Sequence, residues 1–194
     1  MKSKGFSLLE TMVAVGVLMV AIMGPLTIAY YGFKATSVAK NNLIAGNLAQ
    51  EGIELVRNWR GNNYLADIAD GTLSDPWLRG LLPPGPPNPP GNCQTSNGCI
   101  IGLCTQTDAS CTNGIKAGQC TGSGSGGCMP LLFDSASGFY NYSTGVNSIF
   151  ERRINITEIV PNQEARVTVT VTWTERFGTQ SLVVEEHIFN WTPN

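Results

Sequence analysis

Polar and apolar residues are segregated along this chain, and each segment has its own period. Between Phe6 and Phe33 the only acidic or basic side chain is Glu10. A helix over those roughly 28 residues reaches ~42 Å, more than the ~30 Å hydrocarbon core of a bilayer, so the run is predicted to span a membrane. Gly16, Gly24 and Pro25 interrupt it, and the donor that Pro25 lacks predicts a loosened or kinked turn. Helical spacing continues past the span. Ile44, Leu48, Leu55 and Trp59 recur at intervals of 4, 7 and 4, flanked by Ala45, Ala49, Ile53 and Val56, with Asn47, Glu51, Glu54 and Asn58 opposite. That stripe predicts one helix from Phe6 to about Trp59, with Gly61-Asn62-Asn63 as its stop.

The last third changes period. Ala165, Val167, Val169, Val171 and Trp173 alternate with Thr168, Thr170 and Thr172, which is a half-buried strand. A second strand is predicted over 181–191, after a turn at Phe177-Gly178-Thr179, and a third over 150–158 with Ile154 and Ile156. The apolar face of such an antiparallel sheet needs a cover, and the amphipathic half of the helix supplies one. Between helix and sheet, the proline run at 83–90 excludes helix and central strand. The expected fold class is therefore α+β, a long N-terminal helix packed on a C-terminal antiparallel sheet, with a Pro/Gly/Cys-rich loop insertion. The segments divide as a leader at 1–5, the apolar half of the helix at 6–33, its amphipathic half at 34–60, the loop-rich region at 61–130 and the sheet region at 131–194.

Composition sharpens this picture at two points. Net charge is −2, and Lys34, Lys40, Arg57, Arg60 and Arg152-Arg153 form no basic stripe, so a nucleic-acid role has little to stand on. All six cysteines (Cys93, Cys99, Cys104, Cys111, Cys120 and Cys128) fall in one segment that includes the glycine-serine tract 122–127. An even, clustered set reads as three disulfides among about fifteen possible pairings, formed in an oxidising compartment. The spacings contain no C-x-x-C pair and His187 lies far away, so neither a metal nor another cofactor is expected. The segment holds too few apolar residues for a core of its own, so its shape is expected to rest on the disulfides.

An enzyme reading finds no placed partners. His187 is a lone histidine on a strand, Glu51 and Glu54 fit a solvated helix face, and Glu185 and Glu186 point to opposite sides of a strand. The N-x-S/T matches at Asn141, Asn155 and Asn190 carry little information. Lys2 and Lys4 favour a cytoplasmic N-terminus. Lys34 and Lys40 lie near the other end, and the cysteines settle the choice by requiring an oxidising side beyond the span.

Gly5-Phe6-Ser7-Leu8-Leu9-Glu10, preceded by Lys4 and followed by the apolar run, resembles the type IV prepilin signal. The resemblance implies that a prepilin peptidase cuts after Gly5 and methylates the new N-terminus at Phe6, and that Glu10 takes part in filament assembly. The stretch from Asn47 to Arg57 is similar to the soluble half of the first helix of minor pilins. Val167 to Trp173, with Gly178 and Asn190-Trp191, resembles their terminal hairpin, which makes the expected fold pilin-like. The proline- and cysteine-rich middle matches no family pattern. Implied partners are the peptidase, other pilin subunits through their N-terminal helices, and the inner membrane before export into an extracellular filament. Glu10 also carries a physical argument, since a carboxylate inside an apolar helix costs roughly 2.5–3.5 kcal/mol and usually finds a partner. The amine freed on Phe6 of a neighbouring subunit is one.

A minor pseudopilin of a type II secretion or DNA-uptake machine shares the signal and stays open as an alternative. So do a secreted and a membrane-anchored disulfide-rich adhesin. A secretory signal's apolar region runs about 7–15 residues, roughly half this one. A plain anchor gives no reason for a glutamate beside Gly5-Phe6.

Overall fold

A computed structural model of the chain describes residues 5, 7–71, 76–83, 92–104, 111, 114–120, 127–176 and 178–191. Leader residues 1–4, Phe6, the prolines at 84–90, tract residues 122–126 and Phe177 lie outside the described residues. The chain forms two compact units, Met1–Leu43 and Ile44–Asn194. One helix, α1 (Leu8–Asp70), contributes to both, and it passes through Pro25 unbroken.

In the first unit α1 has no core to pack on. Its side chains from Leu8 to Phe33 are exposed throughout, and that stretch is long and apolar enough to cross a bilayer. Thr27 turns its hydroxyl back to the Met23 carbonyl at 2.8 Å, which keeps a polar side chain satisfied within the helix.

In the second unit α1 continues past the expected stop. Asn63, read as a helix breaker, instead donates its amide to the Trp77 and Arg79 carbonyls at 3.1 and 3.0 Å. The side chain that competes with the backbone for hydrogen bonds is thus committed elsewhere. The helix ends at Asp70 before Gly71, whose φ of +69° is the left-handed conformation that closes helices. This last stretch anchors residues 76–83. The Trp59 indole donates to the Arg79 carbonyl at 2.8 Å, and Trp77, Leu78, Leu81 and Leu82 are buried.

Among the described residues the sheet has seven antiparallel strands: β1 (Cys99–Leu103), β2 (Ile115–Gln119), β3 (Pro130–Phe133), β4 (Tyr140–Asn141), β5 (Val146–Val160), β6 (Glu164–Glu175) and β7 (Gly178–Phe189). One edge of β5 pairs with β6, which pairs in turn with β7. The opposite edge is shared by β3, which pairs from Val146 to Glu151, and β1, which touches it at Cys99↔Ile154. The β5–β6 hairpin turns at Pro161-Asn162-Gln163, where Asn162 takes φ 57° and Gln163 N–H donates to the Val160 carbonyl at 3.0 Å. Asparagine tolerates that left-handed turn better than most residues.

Strand phase is as the alternation predicts. Ala165, Val167, Val169, Val171 and Trp173 are buried, and Phe150, Ile154 and Ile156 join them from β5. Ala45, Leu48, Ala49, Ile53, Leu55 and Val56 cover this face. Contact is closest at Gly52, where an added Cβ would stand 2.9 Å from a Val169 methyl. The cysteine segment departs from expectation. Cys93, Cys99, Ile100, Ile101, Ile115, Cys120 and Cys128 all belong to the one hydrophobic core, so the segment is packed as well as cross-linked. Its apolar residues are too few for a separate core and enough to complete a shared one.

Val169→Asp should cost ~4 kcal/mol or more, because it places an unpaired charge against α1. Thr170→Asp, on the other face, should stay within about 1 kcal/mol. Urea unfolding of a 44–194 fragment separates the two, and equal losses would refute the strand phase.

Candidate functional site

The sequence-marked residues fall into two sets that the fold treats differently. Gly5 and Ser7 precede α1, and Ser7 accepts the Thr11 N–H at 3.2 Å through its carbonyl. Glu10 lies in the first turn of the helix, exposed among exposed Leu8, Leu9 and Met12. A carboxylate there complements the positive end of the helix dipole. Leu8, Leu9, Met12 and Val13 beside it are likewise exposed, so burial in lipid or against other helices would desolvate it.

The six cysteines are brought together in sequential pairs, Cys93–Cys99, Cys104–Cys111 and Cys120–Cys128, with Cα separations of 4.6, 5.8 and 4.4 Å. His187 stands far from them in sequence and lies on β7, where its Nδ1 is 2.6 Å from a Glu164 carboxylate oxygen. Glu185 and Glu186 do face opposite sides. Glu185 accepts from the Thr168 hydroxyl, while Glu186 pairs with Arg57 of α1.

The most constrained group in the second unit is one that the sequence reading set among scattered basic residues. Arg152 is wholly buried and is unavailable to nucleic acid. It shares the inward phase of Phe150, Ile154 and Ile156, and α1 and β1 close over it. Nη1 donates to the Leu48 carbonyl at 3.0 Å and lies 3.2 Å from a Glu51 carboxylate oxygen. Nη2 donates to the Ile101 carbonyl at 2.8 Å. Gly52 gives this side chain room as well, since a Cβ there would lie 3.2 Å from Arg152 Cδ. The Nε–H is buried and has no hydrogen-bond partner among the described residues.

Glu51 therefore differs from Glu54, with which it was grouped on a solvated face. Glu51 is one-third exposed and is the counter-charge of a buried cation, whereas Glu54 is well exposed and pairs with Arg57 on the helix surface. Tyr142 closes the site from the other side. Its hydroxyl donates to the Arg152 carbonyl at 3.3 Å, and its ring lies so close to Gly102 that a Cβ there would be 2.4 Å away. Burial raises the Tyr142 phenol above its ordinary value, more than the nearby guanidinium lowers it. An arginine in phase with strand residues that point inward is the signal that could have found this site.

No protein-family model, curated protein or solved structure matches the chain. The Arg152 site is a charge-compensated clamp between α1, β1 and β5.

Glu51→Gln should destabilise the second unit by roughly 1–3 kcal/mol, because a buried guanidinium loses the carboxylate that lies 3.2 Å from it. Glu54→Gln should change stability by less than about 0.5 kcal/mol. Thermal unfolding of the two variants beside wild type checks the difference; indistinguishable curves would remove the clamp's charge argument.

The Tyr142 phenol also sets a pH dependence. Its pKa in the folded chain lies above that in the unfolded chain, so the unfolded state releases its proton first. The contribution of this phenol to stability is thus constant below about pH 10 and falls as pH rises beyond it. In an alkaline absorbance titration Tyr142 should ionise only together with unfolding, and Tyr142→Phe should remove that component. A reversible Tyr142 titration in folded protein would contradict the burial.

Proposed function

We propose that this chain is a structural subunit, of the minor class, of a type IV pilus or related filament. It is inserted in the inner membrane as a prepilin with its N-terminus in the cytoplasm. A prepilin peptidase cuts it after Gly5 and methylates Phe6, and the N-terminal helix then holds it in an extracellular filament. The observation that carries the reading is the run Gly5-Phe6-Ser7-Leu8-Leu9-Glu10 placed directly on a bare apolar helix.

Three further features support it. The apolar stretch of α1 is exposed from Leu8 to Phe33, as a helix designed for lipid first and for neighbouring helices later must be. Glu10 follows the new amine on Phe6 by four residues in the sequence, so the amine of one subunit and the carboxylate of the next can neutralise each other and fix axial register. The three disulfides suit a sheet domain that works outside the cytoplasm. The reading makes the chain a building element, with no reaction of its own.

Processing and assembly are tested together in the native cell. The mature chain should begin at Phe6, and Glu10→Ala should leave cleavage intact while the protein accumulates in the inner membrane. The ratio of sheared to membrane-held protein should fall by at least tenfold, since an unpaired buried charge costs several kcal/mol. A mature chain that begins at Met1, or after Ala29, sinks the prepilin reading. An unchanged ratio would confine the motif to processing.

A further inference from the structure

The edge of β5 opposite β6 is covered in pieces, and one piece is not a strand. β3 pairs as far as Glu151, and the backbone pairing of β1 with β5 is limited to Cys99↔Ile154. Beyond that point the loop closed by the Cys93–Cys99 disulfide does the work of a strand. Ile156 N–H donates to the Cys93 carbonyl at 2.9 Å, and the Asn155 side-chain amide donates to the Thr95 carbonyl at 2.9 Å. Gly98, at φ +68°, lies so near β5 that an added Cβ would stand 2.7 Å from the Ile154 carbonyl oxygen. Its own carbonyl accepts the Cys120 N–H at 3.3 Å. The loop also leads directly into β1, whose Ile101 carbonyl caps Arg152.

The sulfurs of this loop are sealed by its docking. Cys93 and Cys99 are completely buried, and Cys120 and Cys128 nearly so, whereas Cys104 and Cys111 are only half-buried. Disulfide formation needs a thiolate and an attacked sulfur in contact, so a bond closed by a partner must be made while it can be reached. The loop cannot be docked on β5 and open to a partner at the same time.

We propose that the 93–99 loop is an oxidation-gated latch: a disulfide-donating partner closes it before it docks on β5, and docking then shields the bond. The thiolate of Cys93 or Cys99 attacks a sulfur of the donor's disulfide, forming a mixed disulfide and expelling one donor thiolate. The second thiolate of the loop attacks the mixed disulfide and expels the other. The loop loses two electrons and two protons in total, and the donor becomes a dithiol. Until this happens β5 lacks its partner at Ile156, and Arg152 lacks a fixed Ile101 carbonyl. Cys104–Cys111 lies outside this device and stays exchangeable in the folded chain.

The full chain in detergent micelles tests the idea. Wild-type protein is treated with graded dithiothreitol, alkylated and mapped by peptide mass spectrometry, with hydrogen exchange followed at the Ile156 amide. Cys104 and Cys111 should label roughly 100-fold faster than Cys93 and Cys99, whose labelling should rise only as Ile156 loses protection. Equal labelling of both pairs while Ile156 stays protected would overturn the latch. In a second arm, Cys93→Ser/Cys99→Ser should speed Ile156 exchange by on the order of 100-fold, and Cys104→Ser/Cys111→Ser should leave it unchanged. Wild-type protection in the first double variant would show that the loop docks without its bond, and would refute the gating. Should that variant not accumulate, the labelling order in wild-type protein decides.

Discussion

The second unit is organised around a cation that has no access to water. A guanidinium is tolerated in an apolar interior only when acceptors and a counter-charge surround it. For Arg152 these come from Leu48 and Glu51 on α1 and from Ile101 on β1, elements far apart in the chain. Helix position, the placement of β1 and the phase of β5 therefore depend on one another. Gly52 is the steric condition for the clamp, because a larger residue would meet Val169 and Arg152 together. Replacing such a cluster with apolar residues is often neutral for stability, so its contribution here is better understood as specifying one packing among several.

The cysteine segment answers to the same constraint. Its strand β1 supplies an acceptor for Arg152, and its 93–99 loop completes the edge of β5. A glycine-rich stretch with so few apolar residues has no independent means of holding either position, since the entropy of ordering it exceeds what its own burial returns. Short disulfide loops reduce that entropy, and the shared core adds contacts that none of the loops could make alone. Cross-linking and packing are thus two halves of one solution.

The first unit poses the opposite problem. Leu8 to Phe33 present apolar side chains all round and bury none of them. Such a helix is stable only in a non-aqueous setting, either lipid or other helices. The proposed life of the chain visits both, and Glu10 is the one group in that stretch whose energy differs sharply between them. The same carboxylate is tolerable at a headgroup surface and requires a cationic partner deep in a bundle.

Periodicity made much of this legible. The apolar run, the stripe at Leu48, Ile53 and Val56, and the alternation from Ala165 to Trp173 each depend on local spacing, and each element formed in the expected phase. The Gly5-to-Glu10 motif, also local, is what suggested a role. Other features could not be read locally. The helix ignored Gly61-Asn62-Asn63 because Asn63 found acceptors at Trp77 and Arg79, and it stopped at Gly71 instead. Disulfide pairing, the fate of Glu51 and the burial of Arg152 were decided by which segments meet across long stretches of chain. Sequence by itself determined the long helix, strands β5 to β7 and their apolar faces, because those follow from backbone geometry over a few residues, whereas β1 to β4 carry too little periodicity to be read locally. Only tertiary structure decided which charges are buried and paired, because that cost depends on neighbours the chain brings together from afar.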